Sequence, residues 1–93
     1  MSNFVWDQKK NIENQTKHSV AFEEAQFAFF DRNRVIARDL EHSKTEERYY
    51  CFGKCGDRIL TVRFTYRENK IRIIGARMFK KLDKNYICLI HWQ

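Results

Sequence analysis

The sequence predicts an α+β fold: an antiparallel β-sheet meander with two N-terminal helices packed on one face and a C-terminal helix. Three observations predict it. Apolar residues recur at helical spacing around Phe22 to Phe29, they alternate from Arg34 to Met78, and the alternating segments are separated by short polar breaks. Helices followed by strands on short connections favour helices over one face of an antiparallel sheet. With 93 residues, 43% of them hydrophobic, the chain can bury one small core, and it has no proline, repeat or low-complexity linker. One domain over residues 1–93 is therefore expected.

Asn3 to Trp6 reads as a short strand. Asp7 is a good N-cap for a helix over Gln8 to His18, in which Ile12 is the one large apolar residue, so that helix is expected to be mostly exposed. The second helix starts near Phe22. Phe22, Ala25, Gln26 and Phe29 fall at i, i+3, i+4 and i+7, and Phe30 widens their stripe. Val35 to Asp39, Arg48 to Gly53, Arg58 to Arg67 and Lys70 to Met78 read as strands, being rich in β-branched and aromatic residues. Phe79, Leu82, Tyr86, Leu89 and Ile90 then suggest the C-terminal helix. With Trp92 they leave a large apolar stripe, suited either to a partner or to the chain's own core.

Glu68-Asn69 suits a two-residue turn, with Asn69 tolerating a positive φ. Arg67 then pairs with Lys70, and the register places Leu60, Val62, Phe64, Tyr66, Ile71 and Ile73 on one face. The other face collects Arg63, Thr65, Arg67, Lys70 and Arg72, like charges that an anion would relieve. By strict alternation Arg77 faces away from Arg72, unless Gly75 marks a bulge or Arg77 lies beyond the strand end.

Charge is unevenly placed. Residues 57 to 84 hold nine basic and three acidic side chains, whereas residues 1 to 56 hold nine of each sign, so the whole net charge of +6 lies in the C-terminal half. Such a field fits a polyanion such as nucleic acid, an acidic protein, or a solvated surface. On the first helix Lys10, Asn14, Lys17 and His18 share one stripe that can grip phosphate, although His18 also suits the helix C-terminus. The odd set of three cysteines is read as reduced thiols, with a zinc site from Cys51, Cys55, Cys88 and His91 as the lesser alternative. No run approaches the ~18 apolar residues of a membrane span, and the N-terminus lacks the apolar core of a signal peptide, so a cytoplasmic protein is expected.

Taken in order, Phe4-x-Trp6-Asp7, Lys10, Asn14, Lys17-His18 and Val20-x-Phe22-Glu23-Glu24-Ala25 resemble the opening of the BrnT toxin family. Glu46-Glu47-Arg48-Tyr49, Gly53 and Arg72-Ile73-Ile74-Gly75-Ala76-Arg77 are similar to its later blocks. The resemblance covers about residues 3 to 78. It implies a bacterial type II toxin of RelE-like α+β fold, a ribonuclease that blocks translation without a metal or other cofactor. It also implies a BrnA-type antitoxin that masks the toxin and contacts DNA on its behalf, and RNA bound on the open face of the sheet. Arg63, Arg72, Arg77 and His18 are then the expected catalytic residues, and Lys10, Lys17, Arg67 and Lys70 the expected RNA contacts. Ser19 departs from the family's usual glycine and Ala21 from its helix-capping serine, while Met78-Phe79-Lys80 and an apolar tail replace the usual ending. A non-catalytic RNA- or antitoxin-binding module, a degenerate toxin acting in operon autorepression, is the alternative reading.

Overall fold

The computed structural model describes residues 3–81. Its elements are β1 (Phe4–Val5), α1 (Gln8–His18), α2 (Phe22–Ala25), a 3₁₀ segment (Gln26–Phe30), β2 (Val35–Arg38), β3 (Tyr49–Cys55), β4 (Arg58–Arg67) and β5 (Lys70–Lys81). The sheet order is β1-β5-β4-β3-β2. β2 to β5 form the expected antiparallel meander, but β1 lies parallel to β5, pairing Phe4 with Ile71 and Val5 with Arg72, so the five-stranded sheet is mixed. The reason is positional: the N-terminal strand has no hairpin partner, and it takes the edge of β5 against which α1 also packs. Among the described residues no helix is long and apolar enough to cross a membrane.

The expected C-terminal helix is corrected at its start. β5 runs on through Phe79 to Lys81 because β4 still offers partners there, Arg58 standing opposite Lys81; Leu82, Tyr86, Leu89 and Ile90 lie outside the described residues. The second helix is also shorter than its apolar stripe suggested. One α-turn gives way to the 3₁₀ segment, and the buried positions become Phe22, Ala25 and Ala28, three apart as eclipsed 3₁₀ side chains require. Close approach explains the change. A Cβ on Gly53 would stand 2.1 Å from the Ala28 carbonyl oxygen, so glycine there lets the 3₁₀ backbone rest directly on β3. Phe29 packs between the rings of Phe4 and Phe64, with centroids at 5.2 and 4.9 Å.

The core lies between this segment and one face of the sheet, where Val20, Phe22, Ala25, Ala28, Cys51, Leu60, Val62, Phe64, Ile73 and Ala76 are buried. Alternation sends Tyr50, Phe52, Thr61, Arg63 and Thr65 to the other face. Helix α1 docks differently. Ile12 is 56% exposed, and the helix buries Asn11 and Asn14 instead. Asn11 Oδ1 accepts from the Phe22 N–H at 2.8 Å and its Nδ2 donates to Glu23 at 2.9 Å. Asn14 Nδ2 donates to the carbonyls of Val20 and Ala76, at 2.8 and 2.7 Å, while Oδ1 accepts from the Ala76 N–H at 3.2 Å. One carboxamide thus satisfies the outward edge of β5 where β1 no longer reaches it. Asp7 caps α1 by accepting from Lys9 and Lys10, and Ser19 ends it in the left-handed region at φ 58°. At α2 the Glu24 half of the capping box persists, Ala21 N–H donating to Glu24 Oε1 at 3.0 Å, but Ala21 has no hydroxyl to complete it.

Candidate active site

A cleft of about 390 Å³ opens between α1 and the non-core face of the sheet. Helix α1 contributes Lys10, Glu13, Asn14, Lys17 and His18; β3 and β4 contribute Tyr50, Thr61 and Arg63; and β5 contributes Ile74 to Arg77. The expected stripe on α1 faces this cleft because Asn14, in its middle, is clamped to Ala76.

Arg77 reaches the cleft through a bulge. Phe64 pairs with Ile73 but Arg63 pairs with Gly75, so Ile74 is the extra residue, one position before the glycine suspected from sequence. The slip brings Gly75 and Arg77 opposite Arg63 and Thr61 and reverses the parity that would have sent Arg77 away. Arg63, Arg77, His18, Lys10 and Lys17 therefore line one cleft. Arg67, Lys70 and Arg72 do not line it; they lie toward the hairpin turn, where Arg67 pairs with Glu46 at 3.0 Å.

Arg63 is about one-third exposed, and its buried Nε makes no hydrogen bond among the described residues; Asp39 Oδ2 lies 4.0 Å from it. Asp39 is 4% exposed and is held by His42, whose Nδ1 lies 2.9 and 3.2 Å from its two oxygens. Burial pushes this carboxyl's pKa up, but hydrogen bonds and charge from His42, with the charge of Arg63, outweigh it and leave the pKa below its ordinary value. Asp39 and His42 were not among the residues expected from sequence. The signal that points to them is Asp-x-x-His opening a polar loop, where the Asp carboxylate also accepts from the His42 N–H at 3.3 Å. Glu13, Tyr50 and Thr61 were missed too, because neither helical nor strand spacing reveals which elements meet across the cleft.

Cys51 is fully buried, its thiol pushed up to about 12 by that burial, and it donates to the Ala28 carbonyl at 3.7 Å. Among the described residues no three His, Cys, Asp or Glu side chains group as metal ligands, and Cys88 and His91 lie outside them.

A family model described as the ribonuclease toxin BrnT of type II toxin-antitoxin systems matches residues 6–83. The chain belongs to the BrnT family. It is thus a ribonuclease toxin of a type II toxin-antitoxin system, and an antitoxin is its partner by family. No curated protein matches the chain.

Proposed function

We propose that the cleft between α1 and the sheet cuts RNA without a metal, as in RelE-like toxins, and that the protein acts in the cytoplasm to block translation. The observation that carries this reading is the convergence of Arg63, Arg77, Lys10, Lys17 and His18 on one cleft where, among the described residues, Glu13 is the single carboxylate. RNA brings its own nucleophile, the 2′-OH. A protein that aligns it with the phosphorus and neutralises the developing charge accelerates cleavage. Arg63 and Arg77 hold the phosphate oxygens, His18 removes the 2′ proton, and Lys10 and Lys17 fix the neighbouring backbone. Arg67, Lys70 and Arg72 extend the basic track toward the hairpin turn, with Arg72 contributing binding more than chemistry. A BrnA-type antitoxin silences the site and carries the complex to DNA.

The test is cleavage of a defined RNA by purified protein in excess chelator. Products ending in a 2′,3′-cyclic phosphate, and a drop of about 100-fold or more for Arg63→Ala, support the reading. Cleavage that requires added metal would overturn it, as would RNA binding without cleavage, which the non-catalytic module predicts.

A further inference from the structure

Cleavage through the 2′-OH needs two proton transfers, one away from the nucleophile and one to the departing 5′ oxygen. The cleft offers His18 for the first. Resting on the ribonuclease reading, we propose that His42, held by Asp39, is the general acid that protonates the 5′ oxygen.

The geometry of the pair carries the assignment. The Asp39 side chain is 4% exposed while the His42 side chain is 44% exposed, so the carboxylate is fixed inside and the ring is presented outward. A carboxylate only accepts, so Nδ1 carries the proton between them and Nε2 remains for substrate. The loop is held in place as well: Ser43 Oγ donates to the Asp39 carbonyl and accepts from the Arg48 N–H. Asp39 Oδ2, the oxygen closer to His42 Nδ1, also lies 4.0 Å from Nε of Arg63, which lines the cleft. Histidine and arginine therefore share one carboxylate. Strand order completes the picture, because β4 with Arg63 lies between the β5 margin, where α1 brings His18, and β2, after which Asp39 and His42 follow. Base and acid of an in-line displacement must flank the phosphorus, and the strand order sets His18 and His42 on opposite sides of the strand that carries Arg63.

In the step, His18 takes the 2′-OH proton as the 2′ oxygen bonds to phosphorus. The bond from phosphorus to the 5′ oxygen breaks with its electron pair on that oxygen, which receives the Nε2 proton of the His42 imidazolium, while the Nδ1 proton stays on its hydrogen bond to Asp39. The products are a 2′,3′-cyclic phosphate and a 5′-hydroxyl, and both histidines exchange protons with water to reset.

A substrate with sulfur in place of the bridging 5′ oxygen at the cut isolates this role, since a thiolate leaves without a proton. His42→Ala should cut ordinary RNA about 100-fold or more slowly, yet approach the wild-type rate on the sulfur substrate. His18→Ala should be slow on both. His42→Gln, which keeps a donor for Asp39 and should share the wild-type denaturation midpoint, repeats the comparison in a chain known to be folded. Equal slowing of both substrates by the His42 variants, or no slowing at all, would remove His42 as the acid while leaving the ribonuclease reading intact. A wild-type chain that cuts neither substrate sinks both.

Discussion

The β4–β5 hairpin carries cations at both ends and treats them differently. In the turn half, from the pair Phe64 and Ile73 to the pair Arg67 and Lys70, the register is regular and the cations sit at the surface, Arg67 being neutralised by Glu46. In the cleft half the extra residue Ile74 shifts the pairing by one, and Arg77 turns to the same face as Arg63, toward α1. The same alternation of sequence thus gives a decorated surface at one end and a convergent site at the other. A single residue of slip in the ladder makes the difference.

The largest expected contrast is in catalysis. Arg77→Ala should slow RNA cleavage about 100- to 1,000-fold, the usual cost of losing a donor to developing charge, with stability within about 0.5 kcal/mol because the side chain is exposed. Arg72→Ala should weaken RNA binding and reduce its salt dependence by about one phosphate, with little change in the rate of bound substrate. Single-turnover rates and binding over a salt series measure both. A larger rate loss for Arg72 than for Arg77 would move the chemistry to the turn half and undo the comparison.

Next is the clamp that closes the cleft half. Asn14→Ala leaves the Ala76 N–H and C=O without their partner and should cost about 3 kcal/mol in denaturant unfolding. Ile12→Ala, one helical face away and exposed, should cost under about 0.5 kcal/mol. Were Ile12 the costlier loss, α1 would be docked by apolar burial after all.

These two regions also mark how far the sequence could be read. The turn half was legible because a two-residue turn fixes register outward from itself, and the bounds of β4 and the Asp7 cap follow from equally local chemistry. The bulge was not: Ile71, Ile73 and Ile74 are apolar on both parities, so alternation fades where the extra residue enters. The 3₁₀ segment was hidden because its cause, Gly53 beneath Ala28, lies on another strand. The same holds for Asp39 and His42, which come near Arg63 only through the fold. α1 was read as exposed, yet its two buried asparagines look polar in sequence and act as anchors only through β5 and α2.

A smaller effect separates the strained backbones of the two halves. Glu68 and Asn69 both adopt positive φ, at 54° and 64°, as a type I′ turn requires. Replacing them by Asn and Gly should stabilise the protein by about 1 kcal/mol without altering cleavage. Ser19→Gly, at the left-handed end of α1 beside His18, should give a similar gain. Thermal unfolding measures both, and a loss of stability in either case would mean that the positive φ is supported by contacts of the native side chain.

The smallest expected effect is in acid and belongs to the turn half alone. Glu46 has its carboxyl pKa lowered, chiefly by the hydrogen bond from Arg67, with burial opposing and the charges of Arg67 and Arg48 adding to it. A group whose folded pKa is depressed stabilises the fold above its unfolded value, 4.5 here, and that contribution disappears as pH falls through the lower folded value. Arg67 is half exposed, so solvent screens the pair and the contribution is modest. Arg67→Ala should therefore flatten the fall in stability as pH drops below 4.5 relative to wild type, whereas Arg77→Ala, on the cleft half, should leave that fall unchanged. Urea midpoints at a series of pH values decide it. Parallel curves for wild type and Arg67→Ala would mean that Glu46 is held by Arg48 instead.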